Sequence, residues 1–314
     1  MKIIKNKIFL VFKYLFVFFV VFLIGKSLYD NWEEIKEYSF ELNLHFFIIS
    51  VLLMLLSVFV FGILWNLMLG KLSGKKMGIY AASYIHFSSW LCRYIPGKIG
   101  IVLTKIILCK KNGYKTKELV FSSVYENVFI ISSSFLLGVP VVFSFFNIFS
   151  FSKILFYILY VLIIAIGTLL ISHPSVFSSA INLFSKIGKY SYTSKDEILS
   201  AREVIYYLFL YALPRLLSGL GFFFLIISIV PLDFSFAWYA IGVYSLSSVI
   251  GYIAVFAPSG IGVREAMVIF SLSGFFPVGV AILISVLSRA WIVFSDLLIL
   301  FFIFLYKGLC QIKK

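Results

Sequence analysis

Apolar residues in this chain follow neither the alternation of a half-buried strand nor the spaced stripe of a soluble helix. They run on without a break. Six stretches, roughly 8–24, 46–69, 119–142, 154–172, 204–230 and 277–304, are long enough to cross a bilayer as helices. The requirement is about 30 Å of hydrocarbon at about 1.5 Å per residue. Two further apolar blocks are interrupted near their centres. Residues 79–92 and 99–109 flank the sequence RYIPGKIG (93–100), while 236–256 leads into APSGIGVRE (257–265) and a short apolar piece ending near 275. Proline has no backbone N–H and glycine admits unusual dihedrals, so each break ends one half-helix and begins another.

Charge placement decides how the interrupted blocks thread. The chain is 62% hydrophobic and 13% charged. Most cations sit in short clusters between apolar runs, such as Lys2, Lys5 and Lys7; Lys71, Lys75 and Lys76; Lys110, Lys111, Lys115 and Lys117. Others are Lys186, Lys189, Lys195 and Arg202, and finally Lys307, Lys313 and Lys314. Short basic loops mark the cytoplasmic side and attract anionic headgroups. Segment 25–43 carries Asp30, Glu33, Glu34, Glu37 and Glu41 against two lysines and reads as outside. One crossing by 79–109 would put the four lysines at 110–117 outside, whereas a re-entrant hairpin keeps both basic loops inside. The same parity makes 236–275 a second hairpin, entering from outside; two spans within 266–306 would leave no loop between them.

The expected fold is an all-α polytopic membrane protein of one domain, residues 1–314, with both termini cytoplasmic. It comprises an N-terminal span within 1–45, repeat A over 46–142, a linking span and cytoplasmic loop over 143–203, and repeat B over 204–304. The basic N-terminal head precedes an apolar run with no A-x-A-like cleavage site, so that run reads as a retained span. The two repeats thread in opposite directions. Paired Gly/Pro-broken segments in inverted halves point to a transporter's binding site.

Candidate chemistry lies at the breaks. Pro96-Gly97 is bracketed by Arg93 and Lys98, and Pro258, Gly260 and Gly262 precede Arg264. The free N–H groups that open a half-helix favour an anion. These eight residues are therefore the expected lipid-phosphate site. An isolated charge at depth costs about 2.5–3.5 kcal/mol on insertion scales, so balancing or proton-coupling groups are expected too. They are Glu126, Glu265 beside Arg264, Arg215 after Pro214, and Arg289 with Asp296, seven residues apart on one helix face.

Several function classes fall away. The net charge of +14 is dispersed into loops, which argues against nucleic acid. Cys92, Cys109 and Cys310 form no CxxC pattern, and His45, His86 and His173 lack metal-ligand spacing, so no metal or cofactor is expected. GKLSGKK (70–76) lacks P-loop spacing, GIGVRE misses the last glycine of GxGxxG, and the longest polar connection is only about 173–203. With no Ser-His-Asp or paired-carboxylate constellation, a non-catalytic role is expected. The alternative is an intramembrane enzyme acting on a lipid phosphate or lipid-linked sugar, with Glu126 or Glu265 as its acid or base.

At Arg93, Pro96, Gly97 and Lys98, and at Pro258 through Glu265, the chain resembles the lysylphosphatidylglycerol synthase transmembrane, or flippase-like, family. The second motif in that family typically reads P-G-G-[IL]-G-x-R-E; here Ser259 stands for the first glycine. The resemblance implies translocation of an anionic lipid, aminoacylated or polyprenyl-phosphate-linked, across the bacterial cytoplasmic membrane. It also implies partnership with a separate lipid-modifying transferase, because the aminoacyl-transferase domain of the two-domain synthases is not among residues 1–314.

Overall fold

The computed structural model describes residues 22, 25–38, 40–94, 99–146, 153–173, 176, 198–254 and 257–312. The expected first span, 8–24, lies almost wholly outside these residues, as do Pro96, Gly97 and Lys98. Among the described residues the regular structure is helical.

A short helix, α1 (Trp32–Glu37), precedes the long α2 (Leu44–Ser73), capped at its start by Asn43, whose side chain accepts from the His45 and Phe46 amides. Gly74, at φ 67°, ends α2 in the left-handed conformation that a helix C-terminus favours. Next come α3 (Ile79–Leu91) and α4 (Ile99–Lys110), followed by α5 (Thr116–Leu137), α6 (Val139–Phe146) and α7 (Lys153–Ser172). The last four are α8 (Ala201–Ile227), α9 (Ala237–Ile253), α10 (Val263–Leu272) and α11 (Val278–Ile312).

Five helical stretches are long and apolar enough to cross a membrane: Leu44–Ser73, Thr116–Leu137, Ala201–Ile227, Phe234–Ile253 and Val278–Phe304. Four of them correspond to expected spans. The expected span 154–172 contributes a shorter apolar stretch, Tyr157–Ser172, while the first arm of the second broken block reaches crossing length. The expected span 119–142 ends earlier, at Leu137. Pro140 cannot continue the ladder, and a side chain at Gly138 would stand 2.5 Å from Leu246.

Both broken blocks double back on themselves. In the first, His86 of α3 and Lys105 of α4 reach the same carboxylate, Glu126, and nearer the break Cys92 meets Thr104 at 3.2 Å, so the two arms lie antiparallel. In the second, the Tyr239 hydroxyl donates to the Ser271 carbonyl at 2.8 Å, and Gly260 packs against Gly251.

The hairpins start from opposite ends of the bundle. At one end Lys71 pairs with Glu203 at 2.9 Å, and Lys75 donates to the Gly113 carbonyl beside the foot of the first hairpin. At the other, the Asn43 amide donates to the Ser228 carbonyl at 2.8 Å, and Gly279 donates to Glu34 at 2.7 Å. Phe236 and Phe275, at the feet of the second hairpin, stack edge-on at that same end. Between these ends the 3-10 turn that closes the first arm of one hairpin, Cys92–Tyr94, touches the 3-10 turn Pro258–Gly260 of the other.

α2 and α8 pack along their lengths as the central pair. Ser57 bridges them, donating at 2.7 Å to the carbonyl of Pro214, the proline inside α8. Each hairpin's first arm also packs against the span that follows the other hairpin: α3 against α11, and α9 against α5. The core is two apolar clusters, one around Phe222, Tyr244 and Trp291 and the other around Trp65, Tyr125 and Phe129.

Candidate functional site

Where the turns of the two hairpins meet there is a cavity of about 100 Å³, walled by α2, α5, α8 and both hairpins. Arg93 from the first hairpin and Arg264 from the second both line it. Arg215, expected only to balance charge, lines it as well, next to Pro214 where the bundle is crossed by the Ser57 bond. Three guanidiniums thus converge from three elements that are distant in sequence.

Each arginine is held by an aromatic ring. Arg93 lies 4.6 Å from the Trp90 ring centre, Arg215 5.4 Å from Phe61, and Arg264 4.7 Å from Tyr244. A ring face attracts a cation without neutralising it. Of the three, Arg93 also has a carboxylate: Asp296, at 2.5 Å, which accepts in addition from the Trp90 indole N–H at 3.2 Å. Arg215 and Arg264 have no carboxylate within ion-pair distance among the described residues. Arg215 is 8% exposed, and its Nε has no hydrogen-bond partner; the same holds for Nε and Nη2 of Arg264 and for the Ser248 hydroxyl.

The remaining expected residues explain how the second turn is built. Pro258 opens a single 3-10 turn, Pro258–Gly260, and Gly260 sits at φ 70°, where a Cβ would lie 2.8 Å from the Gly251 backbone. Only glycine fits there. Gly262, at φ 89°, caps α10, and its amide donates at 2.6 Å to Glu265. The half-helix end expected to be an open anion seat is thus already occupied by the chain's own carboxylate. Nor does Glu265 balance Arg264, as expected; its ion pair is with Arg289, at 3.5 Å.

Ser259, in place of the family's glycine, is held at φ 53°, a region L-residues avoid. Its carbonyl accepts from Arg289 at 3.2 Å, which fixes that conformation. Ser259→Gly is expected to stabilise the protein by about 0.5–1 kcal/mol, relief of strain less the added freedom of the unfolded chain. A higher unfolding midpoint in detergent is the readout.

Arg289 and Asp296 were expected to form a pair on one face of the last span. They share that face but reach different partners. Arg289 holds the second turn through Ser259 and Glu265, while Asp296 holds the first through Arg93 and Trp90. A single helix therefore pins both turns.

Glu126 lies off the cavity, in a cluster that sequence reasoning left incomplete. Its partner is Lys105, fully buried, at 2.5 Å and seated 4.2 Å from the Trp65 ring centre. His86 stands 3.6 Å from the other carboxylate oxygen. Lys105 was legible in principle: it is the single cation inside the apolar run IGIVLTKIILC (99–109). Tyr252, also unmarked in the sequence, lines the cavity and donates to Asn127 of α5, joining the second hairpin to the span after the first.

Long apolar helices, two doubled-back helix pairs and a cationic cavity define a polytopic membrane protein. The family model for the lysylphosphatidylglycerol synthase TM region matches residues 9–299. The chain belongs to that family, and with it to proteins of membrane lipid function. No curated protein and no solved structure matches the chain.

Proposed function

We propose that this protein carries an anionic membrane lipid between leaflets, its phosphate held in the cavity between the two hairpin turns. One observation carries the proposal: guanidiniums from opposed, broken helix pairs line one cavity, and two of them, Arg215 and Arg264, have no carboxylate within ion-pair distance among the described residues. Uncompensated cations at depth are costly, and a ligand phosphate offsets that cost.

In this reading the first hairpin is re-entrant. Its arms of 13 and 12 residues span about 20 and 18 Å, short of the roughly 30 Å hydrocarbon core. The second enters from the opposite leaflet, and its first arm of 17 residues, about 26 Å, is longer than either arm of the first. The reciprocal packing of each hairpin arm on the other unit's following span supports an inverted repeat. Rocking one unit against the other would then expose the cavity to each side in turn. Both termini face the cytoplasm of a bacterial inner membrane, where a separate transferase would supply the modified lipid. The role in this reading is binding and passage rather than catalysis: beside the arginines the described lining offers serine hydroxyls and the Tyr244 and Tyr252 phenols, with no carboxylate, histidine, lysine or cysteine to activate them.

The test is passage of fluorescent phosphatidylglycerol in proteoliposomes, read as fluorescence that becomes accessible to an external quencher. Arg264→Gln removes charge-assisted bonds, each worth about 1.5–3 kcal/mol. The expected result is a rate about ten- to a hundredfold lower with the unfolding midpoint preserved. Equal rates for variant and wild type would refute the site.

A further inference from the structure

The charges around the cavity do more than attract an anion; they count it. Each membrane-embedded carboxylate discussed above already has a cation of its own. Glu126 has Lys105, Glu265 has Arg289, and Asp296 has Arg93. Arg215 and Arg264 are left over, a surplus of two positive charges at one cavity among the described residues. No carboxylate of the described residues lines the cavity.

We infer that the ligand of this cavity is a lipid bearing a terminal phosphate, a phosphomonoester dianion, rather than a phosphodiester or an aminoacylated headgroup. The inference rests on the proposed role of the cavity as a phosphate seat. A terminal phosphate carries about −1.5 to −2 charge at pH 7 and three acceptor oxygens. That matches two guanidiniums, with one oxygen remaining for a hydroxyl such as that of Ser248. A phosphodiester carries one negative charge and would leave one guanidinium buried and unbalanced. An aminoacyl headgroup brings an ammonium, and the walls that would meet it hold guanidiniums and no carboxylate. The unpartnered donors agree with this count: Arg215 Nε, Arg264 Nε and Nη2, and Ser248 Oγ are all buried and lack a protein acceptor. The Tyr252 hydroxyl does not compete, since it is committed to Asn127.

The experiment is lipid binding by the full chain in detergent, read by native mass spectrometry and by shift of the unfolding midpoint. The probes are phosphatidic acid, phosphatidylglycerol and lysylphosphatidylglycerol with the same acyl chains, together with inorganic phosphate. Phosphatidic acid is expected to bind at least about tenfold more tightly than phosphatidylglycerol, since one extra matched charge is worth a charge-assisted bond. Lysylphosphatidylglycerol should bind weakest, and Arg215→Gln should erase the preference for the monoester. The wild-type comparison needs no variant, so a variant that fails to fold does not shield the inference. Equal binding of monoester and diester, both lost in Arg264→Gln, would overturn the inference while leaving the anionic-lipid site standing. Binding of every lipid unchanged by Arg264→Gln would remove both. Inorganic phosphate binding as tightly as phosphatidic acid would assign the seat to a free anion and overturn the lipid reading.

Discussion

Glu126→Leu is expected to cost about 3–5 kcal/mol of stability, and adding Lys105→Met to recover most of it. The magnitude is that of stranding one member of a buried ion pair, because the charge left behind has neither water nor a partner. Lys105 is fully buried, with its ammonium 2.5 Å from Glu126 and against the face of Trp65. Removing Glu126 therefore leaves an ammonium whose remaining company is the Trp65 indole face and the nearby His86 imidazole, neither of which carries a compensating negative charge. Replacing both charges with apolar groups of similar volume removes the desolvation cost along with the attraction, which is commonly neutral or stabilising. The unfolding midpoints of the two single variants and the double variant in detergent close the cycle. Transport is expected to survive in the double variant, since neither residue lines the cavity. A double variant that folds yet does not transport would make Glu126 a proton carrier instead of a structural partner.

That distinction bears on what a sequence can disclose about such a protein. Runs of apolar residues and the sidedness of lysines reveal the spans and the two broken blocks, because lipid enforces both rules on any chain. Arg93 and Arg264 stand out for the same reason: a cation beside a helix break in an apolar block requires an explanation. Pairing is another matter. Arg289 and Asp296 look like mates on one face, but which neighbour a side chain reaches depends on where two hairpin turns come to rest, and spacing within one helix does not encode that. Lys105, though visible as a cation in an apolar run, is easily grouped with the basic loop that starts five residues later at Lys110. Arg215 was assigned to balance because its helix has no break as marked as Pro-Gly; its place at the cavity follows from α2 and α8 packing at Ser57 and Pro214. Glu265 shows how a motif can mislead. An acid beside an arginine suggests an ion pair, whereas its position three residues after Gly262 makes it the cap of its own helix.

Asp296→Leu is expected to destabilise the protein by about 3 kcal/mol and to abolish transport, and here the compensating change should rescue only the first effect. Asp296 is 4% exposed and accepts from both Arg93 and the Trp90 indole, so its loss strips a half-buried guanidinium of its carboxylate and an indole N–H of its acceptor. Losing one side of a buried, hydrogen-bonded charge pair costs about 2–5 kcal/mol. Adding Arg93→Met removes the stranded charge and should return the unfolding midpoint to near that of the wild type. Transport should stay at background, because Arg93, unlike Lys105, is itself part of the cavity wall. The two pairs have similar geometry, a cation on a hairpin facing a carboxylate on a following span, so stability alone cannot tell them apart. Their double variants can. Lys105→Met with Glu126→Leu should leave lipid movement intact, and Arg93→Met with Asp296→Leu should not. If lipid still crosses at the wild-type rate without the Arg93 guanidinium, the first hairpin contributes packing but no ligand contact, and the phosphate is held by Arg215 and Arg264 alone.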